Sequence, residues 1–226
     1  MENYDEPSVI REIDNSILSQ TFFRMFMGLL ASAIVAFCTY YSGAYIKLLT
    51  SGTYIGLAIL EVVLVLVFSF AFKRLSSTAV TILFYGYAAL NGITLSTLFA
   101  IYEISSMGYC FLGTAIMFGI LSYVAKNTNK DLTKLGQMLP TFLLVGIVLS
   151  IVNIFVGSSI LDIALNWAML AIFMGLTVWD IKKISMLQAE GICEDEKLYI
   201  YGAMELYLDF INMFLRLLRL FGRRRN

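Results

Sequence analysis

Six stretches of this chain, residues 25–46, 54–72, 78–102, 109–125, 139–156 and 160–178, are almost wholly apolar. Each matches or approaches the roughly 20 residues that a helix needs to cross a bilayer. A segment in lipid must satisfy its backbone internally, and these runs are continuous rather than alternating, so helices are expected and a β-barrel is not. The connections between them leave no room for a soluble domain. The fold class expected is therefore an all-α polytopic membrane protein. With the last long stretch, residues 198–222, the count is a seven-transmembrane-helix bundle. The divisions expected are a polar tail at 1–20, a membrane domain at 21–222 and a basic tail at 223–226.

Composition agrees: 59% of residues are hydrophobic and 14% charged, with a mean hydropathy of +0.81. Sixteen basic residues balance sixteen acidic ones, so no nucleic-acid partner is expected. Cys38, Cys110 and Cys193 are scattered without metal-ligand spacing and read as structural thiols, and no tightly bound cofactor is expected. Because the chain has no histidine, a response to pH near neutrality falls to carboxylates in unusual surroundings, or less plausibly to a thiol.

The last stretch, LYIYGAMELYLDFINMFLRLLRLFG, is apolar yet carries Glu205, Asp209, Arg216 and Arg219 inside it. Gly202, Glu205, Asp209, Asn212, Arg216 and Arg219 advance by three or four residues and form one polar stripe on a greasy helix. A carboxylate at the centre of a membrane helix costs about 2.5–3.5 kcal/mol on insertion scales and is rarely left facing lipid. Snorkelling of the arginines to one interface, with the acids at the other, is one reading. A stripe that lines a protein-walled cavity is preferred, because Asp209 lies too deep for its short side chain to reach water.

The tail, with Arg11 and Arg24, and the loops holding Lys73 and Arg74, Lys126, Lys130 and Lys134, and Lys182, Lys183 and Lys197 share one side. The positive-inside rule makes that side cytoplasmic. Arg223–Arg225 fall on the other side if the last stretch spans fully. They return if it is re-entrant, and the absence of a Gly or Pro break between positions 203 and 221 favours a full span.

Asp180 closes the sixth span and Asp209 lies inside the seventh, which runs antiparallel to it. The depths conflict: counted from position 198, Asp209 lies roughly 16 Å in, so contact needs a later start to the embedded part or an Asp180 drawn inward. If the two meet, both cannot ionise cheaply, and one proton belongs to the pair. Fully deprotonated, the pair offers two oxygen donors and double negative charge to a hard cation such as calcium, for passage rather than storage. Lys73 and Arg74 are either latches for Asp180 or ordinary interfacial anchors. Glu61, inside the second span, is either an ion ligand in a cavity or a carboxyl buried neutral with a hydrogen bond. Pro140 is placed near the start of the fifth span, where its missing N–H is harmless, and Glu194–Glu196 in a solvated loop.

YLDFINMFLRLLRLFG (residues 207–222) closely resembles the last-helix signature of the Bax inhibitor-1 family, as found in its bacterial members. WDIKKI (179–184), NGITLSTLF (91–99) and ILEVVLVLVFSF (59–70) are similar to its other motifs, so the likeness covers nearly all of the chain after residue 20. The resemblance implies seven helices with the last surrounded by six, and a pH-dependent calcium leak sensed by the positions matching Asp180 and Asp209. It also implies a pore acid matching Glu61. Glu205 and Asn212, on the stripe of the last helix, are expected to line the same pore or meet its ion. Phe72 stands where bacterial relatives can carry the basic latch, a departure from the pattern.

The leading expectation is a pH-gated calcium leak of the bacterial cytoplasmic membrane, with the N-terminus inside and with lipid, calcium and protons as partners. The alternative is a membrane interaction protein that regulates a protease or stress-response complex. An intramembrane aspartyl hydrolase is disfavoured, since Asp180 has neither a Tyr-Asp nor a Gly-x-Gly-Asp setting.

Overall fold

In the computed structural model, which describes residues 15–128, 130–191 and 194–225, the chain is helical throughout and holds no strand among the described residues. The helices are α1 (Asn15–Tyr41), α2 (Ala44–Thr50), α3 (Thr53–Ala71), α4 (Ser77–Leu95), α5 (Leu98–Ile101), α6 (Ile104–Asn127), α7 (Thr133–Val156), α8 (Ser159–Ala189) and α9 (Asp195–Phe221). Six segments are long and apolar enough to cross a membrane: α1, α3, α4 with α5, α6, α7 and α8. The protein is an integral, multi-pass membrane protein.

Several boundaries differ from those the hydropathy predicts, and each difference has a local cause. The first span closes at Tyr41, and Gly43 at φ 75° turns the chain into the separate α2. The third span breaks after Leu95, where the Ser96 and Thr97 hydroxyls donate to the carbonyls of Ile93 (2.6 Å) and Thr94 (2.8 Å), three residues back. Such back-bonding offers the backbone an alternative to the helical ladder. Pro140 stands inside α7 rather than at its first position, because the helix already starts at Thr133. α8 runs to Ala189, since no Gly or Pro interrupts residues 179–189 and Ile181 and Ile184 keep an apolar side buried. Glu194–Glu196 do not form a loop: Asp195 and Glu196 occupy the first turn of α9, where negative charge complements the helix dipole.

α9 packs against α8, α1, α6 and α4. Its residues are buried on several sides, among them Leu198, Ala203, Leu206, Tyr207 and Met213. Close approach is possible at Gly202, where a Cβ would meet Ile184 Cδ1 at 2.6 Å and Thr21 Cγ2 at 2.9 Å. Gly202 therefore serves packing rather than the polar face. At Gly92 a Cβ would meet the Ser32 carbonyl oxygen at 2.5 Å, so α1 and α4 touch backbone to backbone. Helix α3 packs on α4 and α2, and α7 on α8, which leaves a space between α3 and α7.

Residues 1–14 of the expected tail, including Arg11, lie outside the described residues, as do Cys193 and Asn226. Residues 223–225 lie along the turn between α5 and α6. Glu103 N donates to Arg223 O at 3.0 Å, Arg225 N to Ile101 O at 2.9 Å, and Arg223 N to Ser106 Oγ at 2.8 Å.

Candidate functional site

The space between α3 and α7 is a cavity of about 800 Å³. Apolar side chains such as Val62, Leu66 and Leu143 form its flanks, and the polar stripe of α9 forms its back wall. Glu205, Asp209, Asn212 and Arg216 from α9, Asp180 and Lys183 from α8, and Glu61 from α3 all reach it. The helical spacing that aligns the stripe also aims it here.

Asp180 and Asp209 are 6% and 4% exposed, and their side chains lie within hydrogen-bonding reach of each other. The contact is possible because α8 continues nine residues past Asp180, roughly 14 Å of helix, so that Asp180 lies well inside the bundle. The Thr177 hydroxyl is beside Asp209 and donates to the Phe173 carbonyl at 2.9 Å. Asp209 Oδ2 is buried with no hydrogen-bond partner. A donor-free carboxyl oxygen in such a place is costly unless a proton or cation reaches it.

The nearby cation is Lys183, one turn beyond Asp180. Its Nζ lies 3.7 Å from Glu205 Oε1 and 5.0 Å from the centre of the Tyr201 ring. The structure does not bring Lys73 or Arg74 to Asp180: both are exposed and neither lines the cavity. Phe72 instead stacks on Tyr201 with ring centres 4.4 Å apart. Lys197 donates to the Lys73 carbonyl at 3.0 Å, in the turn that follows α3. The Asp180–Lys183 spacing within WDIKKI was the available signal for the lysine's position, since residues three apart on a helix are neighbours.

Glu61 has partners that its own surroundings in sequence do not show. Thr94 Oγ1 donates to Oε1 at 2.5 Å and Asn91 Nδ2 to Oε2 at 3.4 Å. The Tyr207 hydroxyl donates to Asn91 Oδ1 at 3.0 Å and lies 2.7 Å from Ser32 Oγ. Ser32 also bonds the Ala88 carbonyl at 2.7 Å. One polar chain thus joins α3, α4, α9 and α1, and its acid end opens into the cavity. Glu61 is half-buried, accepts both of these hydrogen bonds and lines the cavity.

Arg219 stands apart from this cavity and pairs with Asp162 at 2.8 Å. Among the described residues no three His, Cys, Asp or Glu side chains group as a metal site. Cys38 is exposed and Cys110 buried, both as free thiols.

The chain matches the family model described as inhibitor of apoptosis-promoting Bax1 over residues 14–226. It belongs to the Bax inhibitor-1 family. Among its relatives in that family, the inner membrane protein YbhL of Escherichia coli K12 is 40% identical over 215 residues, covering 92% of each chain. An uncharacterized protein of Borreliella burgdorferi is 37% identical over 220 residues, 95% of this chain and 94% of its own. The uncharacterized protein RP147 of Rickettsia prowazekii is 40% identical over 163 residues, 71% of this chain and 69% of its own. The family-model match includes the stripe of α9 and the motif around Asp180, so this Bax inhibitor-1 family chain carries its acid pair inside the matched region.

Proposed function

We propose that the protein is a proton-sensitive leak for calcium across the membrane, with Asp180 and Asp209 as its sensor. The observation that carries this reading is the approach of two buried carboxyls in a cavity wall. Two carboxyl groups reach hydrogen-bonding separation with a hydrogen between them. When that proton leaves, two negative charges share one site of low polarity and repel. The same event turns the site into an attractive stop for a divalent cation. Glu205 and Lys183 face the pair and set how strongly it holds its proton, while Glu61 and Asn212 offer further oxygens along the path.

In this reading α9 is the seventh span, enclosed by the other helices. Its 27 residues give roughly 40 Å of helix, enough to cross. The basic residues near Lys73, Lys126 and Lys182 put that face in the cytoplasm, with the N-terminus. The printed name of YbhL places that relative in an inner membrane, and we extend the location to this chain. The latch role passes from Lys73 and Arg74 to Lys183, the cation that the fold sets beside both Asp180 and Glu205.

The test is calcium flux into proteoliposomes across a pH series, for the wild type, Asp180→Asn and Asp209→Asn. Each substitution is expected to flatten the pH dependence. A flux with the wild-type profile in both variants would remove the sensor.

A further inference from the structure

A second cavity of about 530 Å³ lies where α7 ends, α8 begins and α9 ends. Three side chains line both this cavity and the larger one: Ile147, Met169 and Arg216. They form the partition between the two spaces. The partition is tight because Gly146 carries no Cβ, which would otherwise collide with the Met169 sulfur.

Among the described residues the charge on this partition has no ion-pair partner of its own. The Asp162 carboxylate is close enough to act on Arg216 electrostatically, but it is paired with Arg219 at 2.8 Å. Arg216 Nη1 donates instead to a neutral acceptor, Asn166 Oδ1, at 3.2 Å. The Asn166 amide is fixed in that orientation by its own Nδ2, which donates to the Asp162 carbonyl at 2.8 Å. Arg216 Nε is buried without a partner. Two guanidinium groups therefore share one carboxylate, and the one without an ion pair lines both cavities.

We infer that Arg216 is the valence filter of the path, a fixed positive charge that opposes divalent cations more than monovalent ones as they pass between the two cavities. The inference rests on reading the larger cavity as a cation path. Electrostatic work against a fixed charge scales with the charge of the moving ion. Arg216 thereby keeps calcium movement at the level of a leak, while its side chain, with Met169 and Ile147, also closes the partition sterically.

The test compares Arg216→Gln, which retains a donor for Asn166, with Arg216→Lys, which retains the charge, in the full chain reconstituted in vesicles. Because the barrier is proportional to valence, a rise of about tenfold in calcium flux for the Gln variant should accompany a rise of only about threefold for potassium. The Lys variant should stay near wild type. Equal rises for both ions, no rise for either, or a Lys variant that behaves like Gln would overturn the filter.

A second measurement separates this claim from the path itself. Asn212→Cys, in a chain whose three cysteines are serine, is exposed to a membrane-impermeant cationic thiol reagent in right-side-out and inverted vesicles. Adding Arg216→Gln should speed labelling from the face where α8 begins. Faster labelling without any change in ion flux would uphold the partition and retire the cation path. Unchanged labelling would overturn the partition.

Discussion

The two ends of the α9 stripe use opposite charge in opposite ways. At one end Asp180, Asp209 and Glu205 gather around a single cation, Lys183, and one carboxyl oxygen is buried without a partner. At the other end Arg216 and Arg219 gather around a single acid, Asp162, and one guanidinium nitrogen is buried without a partner. Neither end holds enough opposite charge to neutralise its own. The acid end is the deeper, with both aspartates nearly sealed. The basic end reaches the surface, where the Arg219 side chain is 52% exposed. A proton-sensitive element needs the first arrangement, and a fixed barrier needs the second.

If depth is what separates the two ends, they should respond unequally to breaking the ion pair at each. Lys183→Met removes the one cation beside three acids among the described residues and should destabilise the fold by about 2 kcal/mol, a buried-pair loss reduced for partial exposure. Thermal unfolding in detergent checks it, and a cost no larger than that of Arg219→Ala would erase the contrast. Tyr207→Phe, midway along α9, should cost about 1–2 kcal/mol by leaving Ser32 and Asn91 short of a hydrogen-bond partner. It should leave ion flux through the partition at the wild-type level, as measured in vesicles. Arg219→Ala should cost less than about 1 kcal/mol, because the ion pair is exposed. It should nonetheless raise calcium flux, since Asp162 is then free to neutralise Arg216.

The smallest effect is expected outside the membrane. Asp131, in the connector before α7, is held below the usual carboxylate range by the Thr133 hydroxyl and then by Thr133 N, which donates to Oδ1 at 2.9 Å. A lowered value in the folded state means that the stabilisation exists above the ordinary range and disappears as pH falls through the folded value. Asp131→Asn should therefore unfold slightly earlier than wild type at neutral pH, and the difference should close on acidification. A gap that widened on acidification would contradict the assignment.

Much of this arrangement was legible in the sequence. Lipid solvation demands long apolar runs, so six spans could be read directly, and a three-four spacing of polar residues fixes one face of α9 before any coordinates exist. Hydropathy is blind to where a helix ends in polar surroundings. It stopped the sixth span at 178, whereas α8 continues to Ala189 and draws Asp180 inward to meet Asp209. Partners contributed by distant helices were also out of reach. Asn91 stood out only as the first residue of the third-span motif, and its bond to Glu61 depends on how α3 settles on α4. Lys73 and Arg74 looked suited to Asp180 because they share its side of the membrane. The turn after α3 instead leaves them in solvent and offers only the Lys73 carbonyl to Lys197.

The central claim is that Asp180 and Asp209 hold one proton between them, and infrared difference spectroscopy of the reconstituted protein tests it most directly. The account predicts the carbonyl band of a protonated carboxylic acid that is present near neutral pH, disappears as pH rises together with the change in calcium flux, and is absent from Asp209→Asn. A band that survives unchanged in Asp209→Asn, or a wild-type spectrum with no protonated carboxyl at any pH where flux changes, would contradict it.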